Sequence, residues 1–200
     1  MRLLRRTAAG ISALVLVWGL MVAPASGLAP QVTVQDFMFS PTPITVVQGT
    51  ALTWHNNGPH THTSTGDTPL ALWDVGTIAP GTTSASVTFR AAGTYLYHCA
   101  IHPTLMHGVV RVPILVSPAS GTTATAFTFT LTSGTAAGFT YDVQSRLGTG
   151  AWTTLRTGVT TATVTFMAAA PGTYSLRSRL VRTSSHAKSK WSPLKRVTVS

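Results

Sequence analysis

The chain has 200 residues and a formal net charge of +10 at pH 7, from 14 Lys or Arg residues against only 4 acidic residues. Charged residues make up 9% of it, and Thr, Ser, Gly, Val and Ala predominate, which favours strands and turns and excludes a mostly helical or disordered chain. All four acidic residues are Asp, and they are dispersed along the sequence, which argues against a catalytic zinc site built on carboxylates.

The first 25 residues have the pattern of a signal peptide. Three arginines within the first six residues precede an apolar run over residues 11–22, and the small residues Ala23 and Ala25 fit a cleavage site. The apolar run is too short to span a bilayer comfortably, and an uncleaved N-terminal membrane anchor is the alternative. The sequence therefore predicts export to the cell envelope, the periplasm or the extracellular space.

Residues 26–117 alternate apolar and polar side chains in short runs separated by turn residues. The strands predicted here are Val32–Val34, Ile44–Val47, Ala51–Trp54, Ser84–Phe89, Thr94–Tyr97 and Gly108–Val112. Short strands with regular turns and no long helical period predict an all-β domain, a Greek-key β-sandwich.

A polar junction rich in turn residues, Ser117–Gly121, predicts a domain boundary between residues 117 and 118. Beyond it the predicted strands are Ala126–Leu131, Phe139–Ser145, Ala151–Leu155, Ala162–Phe166, Thr173–Val181 and Arg196–Val199. Residues 118–200 are therefore predicted to form a second, smaller β-sandwich.

The only cysteine, Cys99, is followed by His102 and Met106. A lone cysteine in an exported chain cannot pair within that chain, so it is buried, joined to another chain or bound to a metal. One thiolate, two imidazoles and a thioether are the ligands of a blue-copper site, which predicts one Cu(I)/Cu(II) ion. The second imidazole comes from upstream; His62 is favoured, and His60, on the same side of a strand, is the alternative.

Other interpretations of this cluster are weaker. Structural zinc sites usually have four Cys or His ligands, often with a paired-cysteine motif, and the chain has no such pair. Cys99 could be an inert core residue, but the nearby histidine and methionine favour a metal. Thr63 is predicted to support the cysteine loop through a hydrogen bond outside the ligand set.

Several segments of the first half together resemble the cupredoxin family, in particular its small plastocyanin- and amicyanin-like bacterial members. The segments, which span residues 31–114, are Trp54, Asn56–Thr65, Trp73–Gly76, Ala79–Gly81, Phe89, Ala92–Tyr95, Tyr97–Pro103 and Gly108. The resemblance implies that His62, Cys99, His102 and Met106 bind copper. Met106 follows His102 by four residues, whereas related loops often have three, which leaves its bond length open.

The second half is similar to a fibronectin type III module, within the immunoglobulin-like β-sandwiches. The similar segments are Phe139–Val143, Gly150–Trp152, Pro171–Arg179 and Lys190–Pro193. This resemblance implies an interaction or spacer role without catalysis.

The positive charge is concentrated in the second half, where nine basic residues face a single aspartate, Asp142. The surface predicted to attract anionic partners consists of Arg177, Arg179, Arg182, Lys188, Lys190, Lys195 and Arg196. Outside a membrane such partners are anionic cell-envelope polymers, lipid headgroups or an acidic redox protein. Nucleic acid fits the charge but not the export signal.

The sequence as a whole predicts an exported type 1 copper protein that carries single electrons between redox partners and is not an enzyme. Pro103, Leu105 and Met106 are predicted to form an apolar docking patch beside His102. The alternative is an extracytoplasmic copper chaperone, buffer or scavenger, which the additional histidines at positions 60, 98 and 107 favour.

Overall fold

The computed structural model describes residues 29–200, so the predicted signal peptide lies outside the described residues. Within that range all regular structure is β, and no helix has the length and hydrophobicity needed to cross a bilayer. The strands are β1 (Gln31–Gln35), β2 (Met38–Ser40), β3 (Ile44–Thr45), β4 (Thr50–Asn56), β5 (His62–Gly66), β6 (Asp74–Ile78), β7 (Val87–Phe89), β8 (Gly93–His98), β9 (His107–Val112), β10 (Leu115–Ser117), β11 (Ser120–Gly121), β12 (Phe127–Thr130), β13 (Phe139–Leu147), β14 (Thr153–Val159), β15 (Thr163–Phe166), β16 (Gly172–Arg182) and β17 (Lys195–Val199).

The first nine strands form two sheets. One has the order β2-β1-β4-β7 and the other β3-β9-β8-β5-β6. Neighbouring strands are antiparallel except for two parallel pairs, β1 with β4 and β3 with β9. β8 pairs with its sequence neighbour β9 on one side and with β5 on the other. The pairing of β5 with β8 therefore brings together two strands that are distant in sequence.

The alternation of side chains along β8 determines which residues face the core. Tyr95, Tyr97 and Cys99 are buried, and the residues between them are only partly buried. Successive strand residues point to opposite faces, so Cys99 points to the interior, as the two tyrosines do, and His98 points away from it. His98 instead contacts Asp67, with Nδ1 2.6 Å from Oδ1.

Aromatic rings fill the interior of the first unit. Trp54 and Tyr97 are fully buried, and the Tyr97 ring packs against Trp54, Trp73 and Phe39 at centroid distances of 5.6, 5.9 and 4.6 Å. Gly108 on β9 lies directly against the Tyr97 ring, where an added Cβ would come within 2.1 Å of Cζ. A side chain at position 108 would therefore displace a core ring.

The remaining strands form a second sandwich, with sheets β10-β12-β15 and β11-β17-β16-β13-β14. β10 (Leu115–Ser117) pairs with β12 and so belongs to a sheet of the second unit. This strand lies slightly upstream of the predicted boundary. The segment expected to be a plain junction also contains β11, which pairs in parallel with β17. Backbone pairing here overrides the turn-forming composition of the segment.

The two units share an interface with both polar and apolar contacts. Thr94 and Lys190 exchange two backbone hydrogen bonds, with N···O distances of 3.0 and 3.1 Å. The Ala92 amide donates to the Leu131 carbonyl at 2.8 Å, and one continuous hydrophobic cluster extends through both sandwiches. The second unit therefore packs directly on the strand that leads to Cys99.

Three of the predicted basic residues are not freely exposed, contrary to the sequence expectation. The Arg177 guanidinium lies over the rings of Trp152 and Trp191, 3.8 and 4.5 Å from their centroids. Arg179 stacks on Trp191 and donates two hydrogen bonds to Asp142, and Arg182 donates to the Leu70 carbonyl. Aromatic faces attract guanidinium groups, and Arg182 lies over the Phe139 ring, so all three arginines are half-buried. Lys188, Lys190, Lys195 and Arg196 are exposed.

Candidate metal centre

Two antiparallel strands bring the candidate ligands together. His62 begins β5, Cys99 immediately follows β8, and the two strands pair through Thr65 and His98. Because the strands run in opposite directions, the start of one lies beside the end of the other. β-Branched threonines on both sides of Ser64 favour the extended backbone that holds His62 there.

His62, Cys99 and His102 form one compact cluster whose ligand atoms all lie within 4.8 Å of one another. The Cys99 Sγ atom is 3.7 Å from Nδ1 of His62 and 3.7 Å from Nδ1 of His102. His62 and Cys99 are completely buried, and His102 is partly exposed. The cluster therefore lies just below the surface, with one imidazole that reaches it.

The loop from Cys99 to Met106 is closed by its own backbone hydrogen bonds. The His102 amide donates to the Cys99 carbonyl at 3.0 Å, the Met106 amide donates to the His102 carbonyl at 3.1 Å, and the Cys99 amide donates to the Met106 carbonyl at 3.0 Å. These bonds fix His102 relative to Cys99 without help from a metal. Met106, at the end of the loop, is fully buried.

Thr63 connects the two segments. Its backbone amide donates to Cys99 Sγ at 3.3 Å, and its hydroxyl oxygen accepts a hydrogen bond from the Ala100 amide at 2.7 Å. Hydrogen bonds to a ligand sulfur lower its electron density and help to set the potential of a copper site. Thr63 therefore contacts the sulfur through its main chain and the cysteine loop through its side chain.

Asn56 organises the chain that leads to His62, a role that the sequence analysis missed. It is fully buried, and its Nδ2 donates to the carbonyls of His60 and Ile78 at 2.7 and 2.9 Å. Its Oδ1 accepts from the Gly58 amide at 2.9 Å. The sequence pattern predicts a turn at this position, but it carries no signal that the amide holds both sides of the loop.

His60 does not join the cluster. Its side chain is 70% exposed, and its Nδ1 lies 2.8 Å from Oδ2 of Asp36. The other carboxylate oxygen of Asp36 accepts from His62 Nε2 at 3.2 Å. β5 begins at His62, so His60 precedes the strand and the expected same-side alternation does not apply.

Hydrogen bonding and burial shift two pKa values near the cluster. The hydrogen bond to His60 is the main cause that lowers the pKa of the Asp36 carboxyl, so this group is ionised at neutral pH. Burial raises the pKa of Tyr97 well above its usual range, so that ring stays neutral.

Exposed apolar side chains lie beside His102, on a surface that Asp36, His60 and Thr61 also line. The Phe37 ring meets His102 edge-on at a centroid distance of 5.0 Å, and Ile101 and Leu105 expose 47% and 66% of their surfaces. We call Phe37, Ile101 and Leu105 the mouth patch. The prediction that Met106 belongs to this patch is wrong, because its side chain is fully buried.

The donor atoms fit a soft metal ion. Nitrogen and sulfur bonds to a metal of about 2.0–2.3 Å, at trigonal angles, separate the donors by about 3.7 Å. The two sulfur-to-nitrogen distances have this value. A thiolate with two imidazoles suits copper, whereas magnesium and calcium prefer oxygen donors.

Comparison with known proteins agrees with this chemistry. Residues 10–112 match the family model of the cupredoxin-like domain. The chain belongs to the cupredoxin family. A search of curated proteins found no match. The expected all-β class and cupredoxin sandwich are therefore confirmed, and the cofactor of this cupredoxin is copper, for which the His62, Cys99 and His102 cluster is suited.

Solved structures of a purple cupredoxin and of amicyanin variants match less than half of the chain. A novel purple cupredoxin from Nitrosopumilus maritimus is 22% identical, with 42% of this chain and 98% of that chain covered and a TM-score of 0.39. A reduced amicyanin variant is 28% identical, with coverages of 42% and 81% and a TM-score of 0.38. A reduced Cu(I) form of another amicyanin variant is 27% identical, with coverages of 46% and 86% and a TM-score of 0.39.

Proposed function

We propose that this cupredoxin is an exported type 1 copper protein that carries single electrons between redox partners and is not an enzyme. His62, Cys99 and His102 would hold the ion, with the buried Met106 thioether as a fourth ligand. The observation that carries the proposal is the compact buried cluster with one imidazole at an apolar surface. The ion supplies one-electron exchange between Cu(I) and Cu(II).

The protein contributes rigidity to this function. The backbone bonds of the Cys99–Met106 loop and the contacts of Thr63 hold the donors in one arrangement. A donor set that needs no rearrangement suits both oxidation states. Burial of His62 and Cys99 excludes water from the cluster, which leaves the His102 edge as the route for electrons.

The mouth patch supplies the docking surface for a redox protein. Three large apolar side chains grouped around a ligand imidazole are unusual on a soluble surface and typical of an interaction site. A partner that packs on Phe37, Ile101 and Leu105 would bring its own redox centre close to His102.

A charge placed in the mouth patch is expected to slow electron transfer without changing the copper site. Leu105→Glu should lower the electron self-exchange rate of the copper-loaded protein by about tenfold or more, because two like charges are buried in each encounter. The matched control is Leu115→Glu, which alters a leucine that is 44% exposed on β10. The rate is measured by NMR line broadening in mixtures of the oxidised and reduced protein.

Equal self-exchange rates for the two variants would contradict docking through the mouth patch.

The second candidate function, an extracytoplasmic copper chaperone, buffer or scavenger, is favoured by the exposed His60 beside the cluster. It predicts fast release of Cu(I) to a competing chelator, whereas an electron carrier keeps its ion through many redox cycles.

We propose that residues 118–200, together with the preceding strand β10, form a fibronectin type III-like module, and that this module binds an anionic cell-envelope polymer. What supports the fold is a three-stranded sheet facing a larger sheet in which β17, β16, β13 and β14 are neighbours. What supports the ligand is the exposed basic group Lys188, Lys190, Lys195 and Arg196. A lipid surface is the competing anionic partner.

Removal of this charge is expected to weaken polymer binding. The triple variant Lys190→Gln, Lys195→Gln and Arg196→Gln should bind polyglutamate at least about tenfold more weakly at low salt, and the difference should shrink as salt screens the charges. Arg111→Gln, an exposed arginine of the first unit, is the control. Unchanged binding, or binding only to anionic vesicles in the same assay, would contradict the proposal.

A further inference from the structure

One carboxylate links the buried imidazole of the cluster to the surface. Asp36 Oδ1 accepts a hydrogen bond from His62 Nε2 at 3.2 Å, and Oδ2 lies 2.8 Å from His60 Nδ1. The contact to a carboxylate puts the proton of His62 on Nε2. Nδ1 then carries a lone pair, and this is the atom that faces Cys99 Sγ at 3.7 Å.

The backbone holds Asp36 in this position. Asp36 and Phe37 form the two-residue turn between β1 and β2, closed by the pairing of Gln35 with Met38. Phe37 takes a left-handed φ of 61° there, which is uncommon for a residue other than glycine. The same turn thereby places Asp36 against His62 and Phe37 against His102.

The loop before His62 leaves room for the carboxylate. A Cβ added to Gly58 would come within 3.0 Å of Asp36 Oδ1 and 3.3 Å of its backbone nitrogen. Gly58 is itself held by the buried amide of Asn56. The β1–β2 turn places the Asp36 carboxylate, and the absence of a side chain at Gly58 leaves room for it to reach His62.

We propose that Asp36 is a positioning residue that selects the His62 tautomer for metal binding and whose negative charge lowers the reduction potential of the copper. This inference rests on the proposed copper function of the cluster. A carboxylate hydrogen-bonded to a ligand imidazole raises the basicity of that ligand. Negative charge close to the ion favours Cu(II) over Cu(I), because the oxidised ion has the larger positive charge.

Two substitutions separate the charge from the hydrogen bond. Asp36→Asn keeps an oxygen that can accept from His62 Nε2 but removes the charge, and Asp36→Ala removes both. The matched control is Asp67→Asn, which removes the same charge from a carboxylate that contacts His98 on the opposite face of β8. Both positions, Asp36 and Asp67, belong to turns or loops of the first unit, so the three variants leave its core unchanged.

The first measurement is the reduction potential of the copper-loaded full chain. Asp36→Asn should raise the ratio of Cu(I) to Cu(II) affinity about tenfold, which is about 59 mV in a one-electron potential. Asp67→Asn should move the potential much less. Equal shifts for the two variants, or no shift for Asp36→Asn, would overturn the electrostatic role.

The second measurement needs no metal. In the copper-free protein, ¹⁵N NMR of the imidazole nitrogens should show His62 protonated at Nε2 in the natural chain and in Asp36→Asn, and a mixture of tautomers in Asp36→Ala. An Nε2 tautomer that persists in Asp36→Ala would overturn the positioning role. This readout is independent of copper, so failure of the copper function itself would appear separately, as loss of the thiolate spectrum in the natural protein.

Discussion

Cys99→Ser is expected to abolish the intense visible absorption of the copper-loaded protein. The absorption of a blue-copper site comes from charge transfer between the thiolate and the ion, and serine offers no thiolate. We expect copper affinity to fall by more than the roughly 10–100-fold that loss of an outer hydrogen-bonding partner costs a metal site. Absorption spectroscopy and competition with a copper chelator measure the two effects.

The fold should survive this substitution, because serine is close in size to cysteine and can accept the hydrogen bond from the Thr63 amide. Circular dichroism and thermal unfolding without copper provide that control. A visible band of unchanged intensity in Cys99→Ser would remove Cys99 from the ligand set.

His62→Ala and His60→Ala should give opposite results. His62 is completely buried against Cys99 Sγ, so its loss should eliminate the visible band or convert it to that of a weaker, more exposed site. The His60 side chain is 70% exposed and contacts Asp36, so its loss should leave the band in place. Both variants are loaded with Cu(II) and compared by absorption and electron paramagnetic resonance.

Addition of imidazole to the copper-loaded His62→Ala protein provides a further check, since a small ligand can occupy the space left by the missing ring. Partial recovery of the band would support a ligand role for His62. If His60→Ala abolishes the spectrum and His62→Ala retains it, the assignment of the upstream ligand is reversed.

The sequence predicts the parts of this protein that depend on local alternation. The buried residues Tyr95, Tyr97 and Cys99 alternate with the partly buried Leu96 and His98, so both the strand and the inward direction of the cysteine follow from period two. The spacing from Cys99 to His102 confines both to one short loop, which the structure confirms. The strands predicted at both ends of the first unit occur in the structure, as do those at 139–145 and 173–181.

The sequence does not predict contacts that depend on distant segments. Asp36 lies 26 residues from the histidine it contacts, in a turn whose composition gives no indication of a role in the site. β5 is rich in polar residues, and its burial comes from neighbouring strands on both sides. Likewise, Arg177 and Arg179 have the alternation of an exposed face, but Trp152 and Trp191 cover them.

The absorption and electron paramagnetic resonance spectra of the full chain loaded with Cu(II) would show directly whether Cys99 and the two histidines form a type 1 copper site. We expect an intense visible band from thiolate-to-copper charge transfer and a narrow copper hyperfine splitting, because a covalent copper–thiolate bond spreads the unpaired electron onto the sulfur. A colourless protein with broad hyperfine splitting, or one that binds zinc as tightly as copper, would contradict the claim that this cluster is an electron-transfer copper site.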